Sequence, residues 1–176
     1  MKIFLLLAMT LSALCLPGEA RTDFDSSQLS PEGREAYQAL LSATQFTIGA
    51  AGYAGFSREE TALRILLKEK AAEEACLSLV NNANHEGGLY GLLGLRLIKS
   101  DMLTQAVEKY KLRPSPPERM LAGVKVSAGQ IITMEGCFIM RVGLTEILRR
   151  LESGSFDRQF ELDGKPVRIS NGGGAA

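Results

Sequence analysis

Apolar residues recur every three or four positions through much of the chain, which is the spacing of one face of an α-helix. Start signals stand just before two of these stripes. Ser30 and Pro31 form an N-cap and a first helical position, and Ser57 with Glu60 has the spacing of a reciprocal capping box. The pattern predicts helices over 31–43, 57–67, 72–80, 85–98 and 101–111.

The stretch 85–98 is apolar on nearly all sides, which is typical of a buried helix. Its glycines Gly88, Gly91 and Gly94 leave a groove where another helix can approach closely. The earlier segment 45–56 also contains three glycines, but it mixes them with aromatic residues. Glycine at that density disfavours a helix, so an extended connector is expected there.

The pattern changes after a proline-rich linker over 112–118. Alternation at Val124 and Val126, and β-branched residues over 130–134, predict short strands. The sequence further predicts a turn at 136–138, a helix over 145–151 and a hairpin over 160–169 around Leu162–Lys165, where Asp163-Gly164 is a strong turn signal.

The predicted fold class is therefore mainly α with α+β character. We expect a compact bundle of about four to five short helices and a small β-like C-terminal part that ends in a hairpin. One globular domain would occupy 30–170, with a helical part over 30–111, the linker 112–118, a mixed part over 119–170 and a flexible tail over 171–176.

The first twenty residues have the pattern of a signal peptide. Lys2 precedes an apolar run over 3–16 that is shorter than the roughly 20 residues of a membrane span. This predicts cleavage after Ala20, a flexible leader over 21–29, and a periplasmic or extracellular location. Leu14 disfavours lipid attachment at Cys15, because a lipoprotein signal needs a small residue there.

The charges of the chain balance. It has 20 Lys and Arg residues against 20 Asp and Glu residues, so its formal net charge is zero. Nucleic-acid binding draws on an excess of cations for phosphate contacts, and the balance argues against that function class. It argues equally against a polybasic membrane-surface role.

Removal of the signal peptide would leave Cys76 and Cys137, and an even pair in an exported protein predicts a disulfide. Two alternatives stay open. Both residues can be thiols, with Cys76 in an apolar helical stripe, or Cys137 can be a nucleophile with His85 as its base. His85 is the only histidine, and no metal or other cofactor is expected.

The lack of a recognisable catalytic motif favours a non-enzymatic exported protein that binds another envelope or extracellular protein. Its structure would then have an exposed apolar patch or an open sheet edge. The alternative is a small exported hydrolase that uses Cys137 and His85, or a carboxylate pair. The adjacent pairs Glu59-Glu60 and Glu73-Glu74 are interpreted instead as a helix cap and a solvated face.

Overall fold

The computed structural model of the chain describes residues 24–49, 55–121, 123–135 and 138–161. This part is mainly helical with two small antiparallel sheets, which confirms the predicted fold class. The predicted signal peptide and the C-terminal tail lie outside it. In chain order the elements are a 3-10 turn (Ser26–Gln28), α1 (Pro31–Leu41), α2 (Arg58–Leu66), α3 (Ala72–Asn82), α4 (His85–Leu97), α5 (Leu103–Lys111), β1 (Arg119–Leu121), β2 (Val124–Val126), β3 (Gln130–Glu135), β4 (Phe138–Gly143), α6 (Leu144–Glu152) and α7 (Asp157–Glu161).

Side-chain caps begin three of the helices. Ser30 Oγ accepts a hydrogen bond from the Gly33 N–H at 3.0 Å, and Ser57 Oγ accepts one from the Glu60 N–H at 3.0 Å. Asn84 Oδ1 accepts from the third residue of α4 at 2.9 Å. Each cap satisfies a donor that has no partner within the first helical turn, so these starts are fixed by local sequence.

The capping box predicted at the start of α2 is only half formed. Its second hydrogen bond, from the Ser57 N–H to the Glu60 carboxylate, was predicted wrongly. The Glu60 carboxylate is fully buried and does not return to Ser57. It accepts a hydrogen bond from the Gly49 N–H at 2.6 Å and forms an ion pair with Arg64 at 2.7 Å. These partners join the connector after α1 to α2, and a local pattern could not indicate such a tertiary contact.

Helix α4 lies at the centre of the fold, and its glycines allow the neighbouring helices to approach. A Cβ added at Gly91 would lie 2.6 Å from the carbonyl oxygen of Cys76 on α3. At Gly88 an added Cβ would lie 2.6 Å from the ring of Tyr110 on α5. At Gly94 it would collide with Cys76 Sγ. The predicted glycine groove is confirmed, and α3 and α5 occupy it.

The core is continuous from the first helix to the last described one. Residues of α6 and α7, together with Ile131 of β3, join the leucine-rich interior of the bundle. The completely buried leucines are Leu40, Leu63, Leu66, Leu79, Leu89, Leu92, Leu93, Leu95 and Leu151.

The C-terminal part differs from its prediction at several points. Strands β1 and β4 were not predicted, and Phe138, expected in a turn, begins β4. Helix α6 confirms the predicted helix over 145–151, and Gly154 ends it with a φ of 75°. Phe160, expected at the start of the final hairpin, belongs to α7. The hairpin turn predicted at Leu162–Lys165 lies outside the described residues.

The last residues of the predicted leader pack on the domain. Leu29 is buried, and the ring of Phe24 meets the ring of Tyr37 edge-on at a centroid distance of 5.3 Å. Both side chains are apolar and lie over the surface of α1, so burial favours an attached segment. From Phe24 onward this differs from the flexible leader that was expected over 21–29.

Candidate protein-binding surface

The outer edge of β3 is hydrogen-bonded to the connector that follows α1. The Phe46 N–H donates to the carbonyl oxygen of Ile132 at 2.8 Å, and the Met134 N–H donates to Thr47 Oγ1 at 3.2 Å. Tyr90 Oη in turn contacts both backbone groups of Thr47. The connector between α1 and α2 therefore occupies the outer edge of β3 and fastens it to α4.

Apolar side chains of the hairpin become exposed towards its tip. At the base, Ile131 is 0% exposed and Ile132 is 4% exposed. On β4, Phe138 is 77%, Ile139 is 56% and Met140 is 39% exposed. Large apolar side chains at adjacent exposed positions are uncommon on a soluble protein surface, where they mark an interaction site.

The outer edge of β4 is open in the described part of the chain. The Leu144 N–H donates to the carbonyl oxygen of Gly129 at 2.9 Å, and the register continues with Val142 opposite Ile131 and Met140 opposite Thr133. Backbone bonding alternates along an antiparallel pair, so even-numbered residues of β4 bond to β3. The backbone groups of Ile139, Arg141 and Gly143 point away from β3, and no backbone hydrogen bond to them is found among the described residues.

The charged side chain on this strand is turned aside. Arg141 Nη1 donates to the carbonyl oxygen of Lys125 at 3.1 Å, which directs the guanidinium towards β2. Lys125 itself forms an exposed ion pair with Glu118 at 2.9 Å. Cations at a strand edge commonly block pairing with another strand. Here the contact with β2 holds the cation away from the open backbone groups.

His85 belongs to a different environment from the one that a catalytic base needs. The Tyr110 hydroxyl donates to the His85 carbonyl oxygen at 2.9 Å and lies 3.3 Å from Nδ1. Burial, followed by the nearby Arg113 and Arg119 guanidiniums, lowers the pKa of His85. No carboxylate among the described residues is hydrogen-bonded to the ring, so none orients it there as in a nucleophile–base–acid arrangement.

Next to His85, the Glu86 carboxylate is fully buried and forms an ion pair with Arg119 of β1. Within the described part of the chain, Glu86 Oε2 and Arg119 Nε have no hydrogen-bond partner. This pair could not be found from sequence patterns, because its members lie 33 positions apart and in different kinds of element. The pair attaches the β1–β2 hairpin to the start of α4.

Two further acids, Glu69 and Glu73, are used in structural contacts. Glu69 accepts from Ser30 at the start of α1, and Glu73 accepts from Ser100 before α5. Together with Asp101 they line a groove of about 280 Å³. Glu74 is exposed, as expected of a solvated face. Among the described residues, no group of three or more His, Cys, Asp and Glu side chains could hold a metal ion.

Cys76 is completely buried on α3, facing Gly94. Burial, with a smaller contribution from Glu73, raises the pKa of its thiol to about 12. Its proposed partner Cys137 lies outside the described residues, so both the disulfide and the nucleophile at Cys137 stay predictions. Phe138, the residue after Cys137, is highly exposed.

Comparisons with known proteins give no family for this chain: no family model, curated protein or solved structure matches it. None of the described helices has the length and apolar character needed to cross a membrane.

A partner surface was predicted from the sequence, but the exposed apolar side chains of β4 were not identified as candidates for it. Phe138 was interpreted as part of a turn, and Ile139 and Met140 were not singled out. The available signal was the adjacent apolar residues Phe138, Ile139 and Met140, directly after a predicted turn.

Proposed function

We propose that this chain is a non-enzymatic exported protein that binds a protein partner through the β3–β4 hairpin. The observation that carries the proposal is the exposure of Phe138, Ile139 and Met140 on a strand whose outer edge is open. An open edge offers backbone donors and acceptors, and the side chains beside it supply apolar contact. This is the arrangement by which one protein adds a strand to the sheet of another.

The attachment of the hairpin supports this role. Hydrogen bonds from Phe46 and Met134 fix the outer edge of β3, so the opposite edge at β4 is presented on a rigid support. A preorganised edge loses less conformational entropy on binding than a loop does. The partner chemistry is therefore an extended polypeptide with apolar side chains.

The proposed location follows from the first twenty residues. Their charged start, apolar run and small residue at Ala20 support export to the periplasm or the extracellular space. The partner would then be an envelope or extracellular protein in that compartment.

Site-specific crosslinking in an exporting host tests the proposal. A photoreactive residue placed at Ile139 is expected to give a discrete crosslinked species. The same photoreactive residue at Leu112, which is 86% exposed directly after α5, is the matched control. A second substitution, Phe138→Ser, should reduce the product at position 139. Equal crosslinking from both positions, or none from position 139, would contradict the proposal.

A further inference from the structure

We propose that the partner at this edge is a second copy of the chain, with β4 pairing antiparallel to β4. This inference rests on the proposed function, since it names the partner of the same hairpin. The product is one continuous sheet with the strand order β3–β4–β4–β3 about a two-fold axis. Pairing in this way covers the open edge of β4 in both copies, whereas in a single copy the backbone groups of that edge stay unpaired by any other strand of the described chain.

Backbone geometry restricts how two copies can align. Ile139, Arg141 and Gly143 direct their N–H and C=O groups outward, so odd-numbered residues must face odd-numbered residues across the new edge. One such register places Met140 opposite Met140 of the second copy. Ile139 then bonds to Arg141 of the second copy, and the two-fold axis generates the same bonds again.

The side chains favour this register. It places Phe138 opposite Val142 of the second copy, and an aromatic residue opposite a β-branched residue is a favourable cross-strand pair. A shift by one step towards the end of β4 would place Arg141 opposite Arg141, where like charges repel. A shift the other way would leave only 138–140 of the strand paired.

The interface also determines the strength of association. The hairpin supplies a short strand and three exposed apolar side chains, so the contact lies at the small end of protein interfaces. We therefore expect a dimer that dissociates on dilution. Because the pairing is symmetric, it closes at two copies and does not continue into a filament.

Charge substitutions at Met140 test the register. Met140→Lys places two ammonium groups opposite each other at the axis and should weaken the dimer at least about tenfold. Met140→Glu should do the same. An equimolar mixture of the two variants should recover the dimer, because opposite charges then meet. Met120→Lys, at a residue that is 65% exposed on β1, is the control and should leave the dimer unchanged.

Sedimentation of the protein recovered from the exporting host, over a range of concentrations, gives the readout. The expected result is a concentration-dependent mass of two chains for the wild type, its loss in each single variant, and its return in the mixture. A wild type that stays monomeric throughout would overturn the inference. So would a dimer that Met140→Lys leaves intact.

The same experiments separate this inference from the proposed function. If the wild type is monomeric but position 139 still crosslinks to a different protein, the inference of a second copy is wrong and the proposed binding function stands. If the wild type is monomeric and position 139 crosslinks to nothing, both are wrong.

As an independent check of register, Met140→Cys in a Cys137→Ser background should form a disulfide dimer on oxidation, since residues at such a position lie about 4.5 Å apart. Thr133→Cys should not.

Discussion

The Tyr90 hydroxyl satisfies both backbone groups of Thr47, accepting from its N–H at 2.9 Å and donating to its carbonyl oxygen at 3.0 Å. Both residues are completely buried. Burial raises the pKa of Tyr90, so the hydroxyl keeps its proton over the physiological range and remains a donor. Since Thr47 Oγ1 also accepts from the Met134 N–H, the Tyr90 hydroxyl helps to position the β3–β4 hairpin through Thr47.

Tyr90→Phe is expected to lower the free energy of unfolding by about 1–3 kcal/mol, because the buried Thr47 N–H loses its partner and the Thr47 carbonyl oxygen keeps only the 3.4 Å hydrogen bond from Ser57 Oγ. Chemical denaturation measures the loss. Tyr37→Phe is the control and should cost less, since Ser78 would keep its hydrogen bond from Asn82. Hydrogen exchange at the Met134 amide should also accelerate in Tyr90→Phe. Unchanged exchange there would show that the phenol does not hold the hairpin.

Gly91→Ala should destabilise the fold by about 1–3 kcal/mol, because the new methyl group would press on the Cys76 carbonyl and push α3 from α4. Thermal or chemical unfolding measures the effect. Gly143→Ala is the matched control, since an added Cβ there meets nothing within 4 Å and its φ is –62°. The control should change stability by less than about 0.5 kcal/mol. Equal effects at the two positions would contradict the close-packing argument.

Arg119→Ala should cost roughly 3 kcal/mol, since it leaves the buried Glu86 carboxylate without its cation. The double variant Glu86→Leu/Arg119→Met should recover most of that loss, because apolar side chains of similar volume remove the desolvation penalty of both charges. Denaturant unfolding of both variants gives the comparison. If the double variant were no more stable than Arg119→Ala, the cost would arise from packing at β1 instead of from charge.

His85 predicts a specific pH dependence. Its folded pKa is lowered, first by burial and then by Arg113 and Arg119, so the unfolded chain takes up the proton first as the pH falls. The contribution of His85 to stability is complete above the ordinary histidine pKa of about 6.5 and is lost below it, until the folded imidazole is itself protonated. Between pH 7.5 and 5, the free energy of unfolding should therefore decrease less in His85→Gln than in the wild type. An identical dependence of the unfolding free energy on pH in the two proteins would contradict the lowered pKa of His85.

Cys76 should resist alkylation in the folded protein at pH 8, because its thiol is completely buried and its pKa is raised to about 12. Mass spectrometry after treatment with a thiol reagent gives the result. Unfolding without reductant then distinguishes the open alternatives. A predicted disulfide to Cys137 keeps Cys76 unlabelled until reduction, whereas a buried thiol labels at once. Rapid labelling in the folded state would contradict the burial.

Local sequence was sufficient for α1–α6 and for the side-chain caps of α1, α2 and α4, but it did not predict α7. Ser30, Ser57 and Asn84 each cap through a side chain three positions before the donor it satisfies, and such signals need no tertiary information. The glycine spacing in α4 likewise predicted a close approach. The helices predicted in this way confirm the mainly helical fold class. The division of the chain at the proline linker stays a prediction.

The proposed binding surface was harder to predict. Residues 138–142 of β4 lack polar–apolar alternation, because both faces are apolar towards the tip and partly buried at the base. The inward turn of Glu60 depends on Gly49, and the burial of Glu86 depends on Arg119. Each requires a contact between distant segments, and hydrophobic periodicity carries no information on such contacts.

The four glycines within α4 also affect the order of folding. Each glycine disfavours an isolated helix by about 1 kcal/mol relative to alanine, so this central segment cannot be helical before α3 and α5 are in place. It would thus form late and remain unstructured in a chain that has not yet collapsed. For a protein that we propose is exported, a central helix unable to form alone favours a translocation-competent, unfolded chain until the whole domain can assemble on the far side of the membrane.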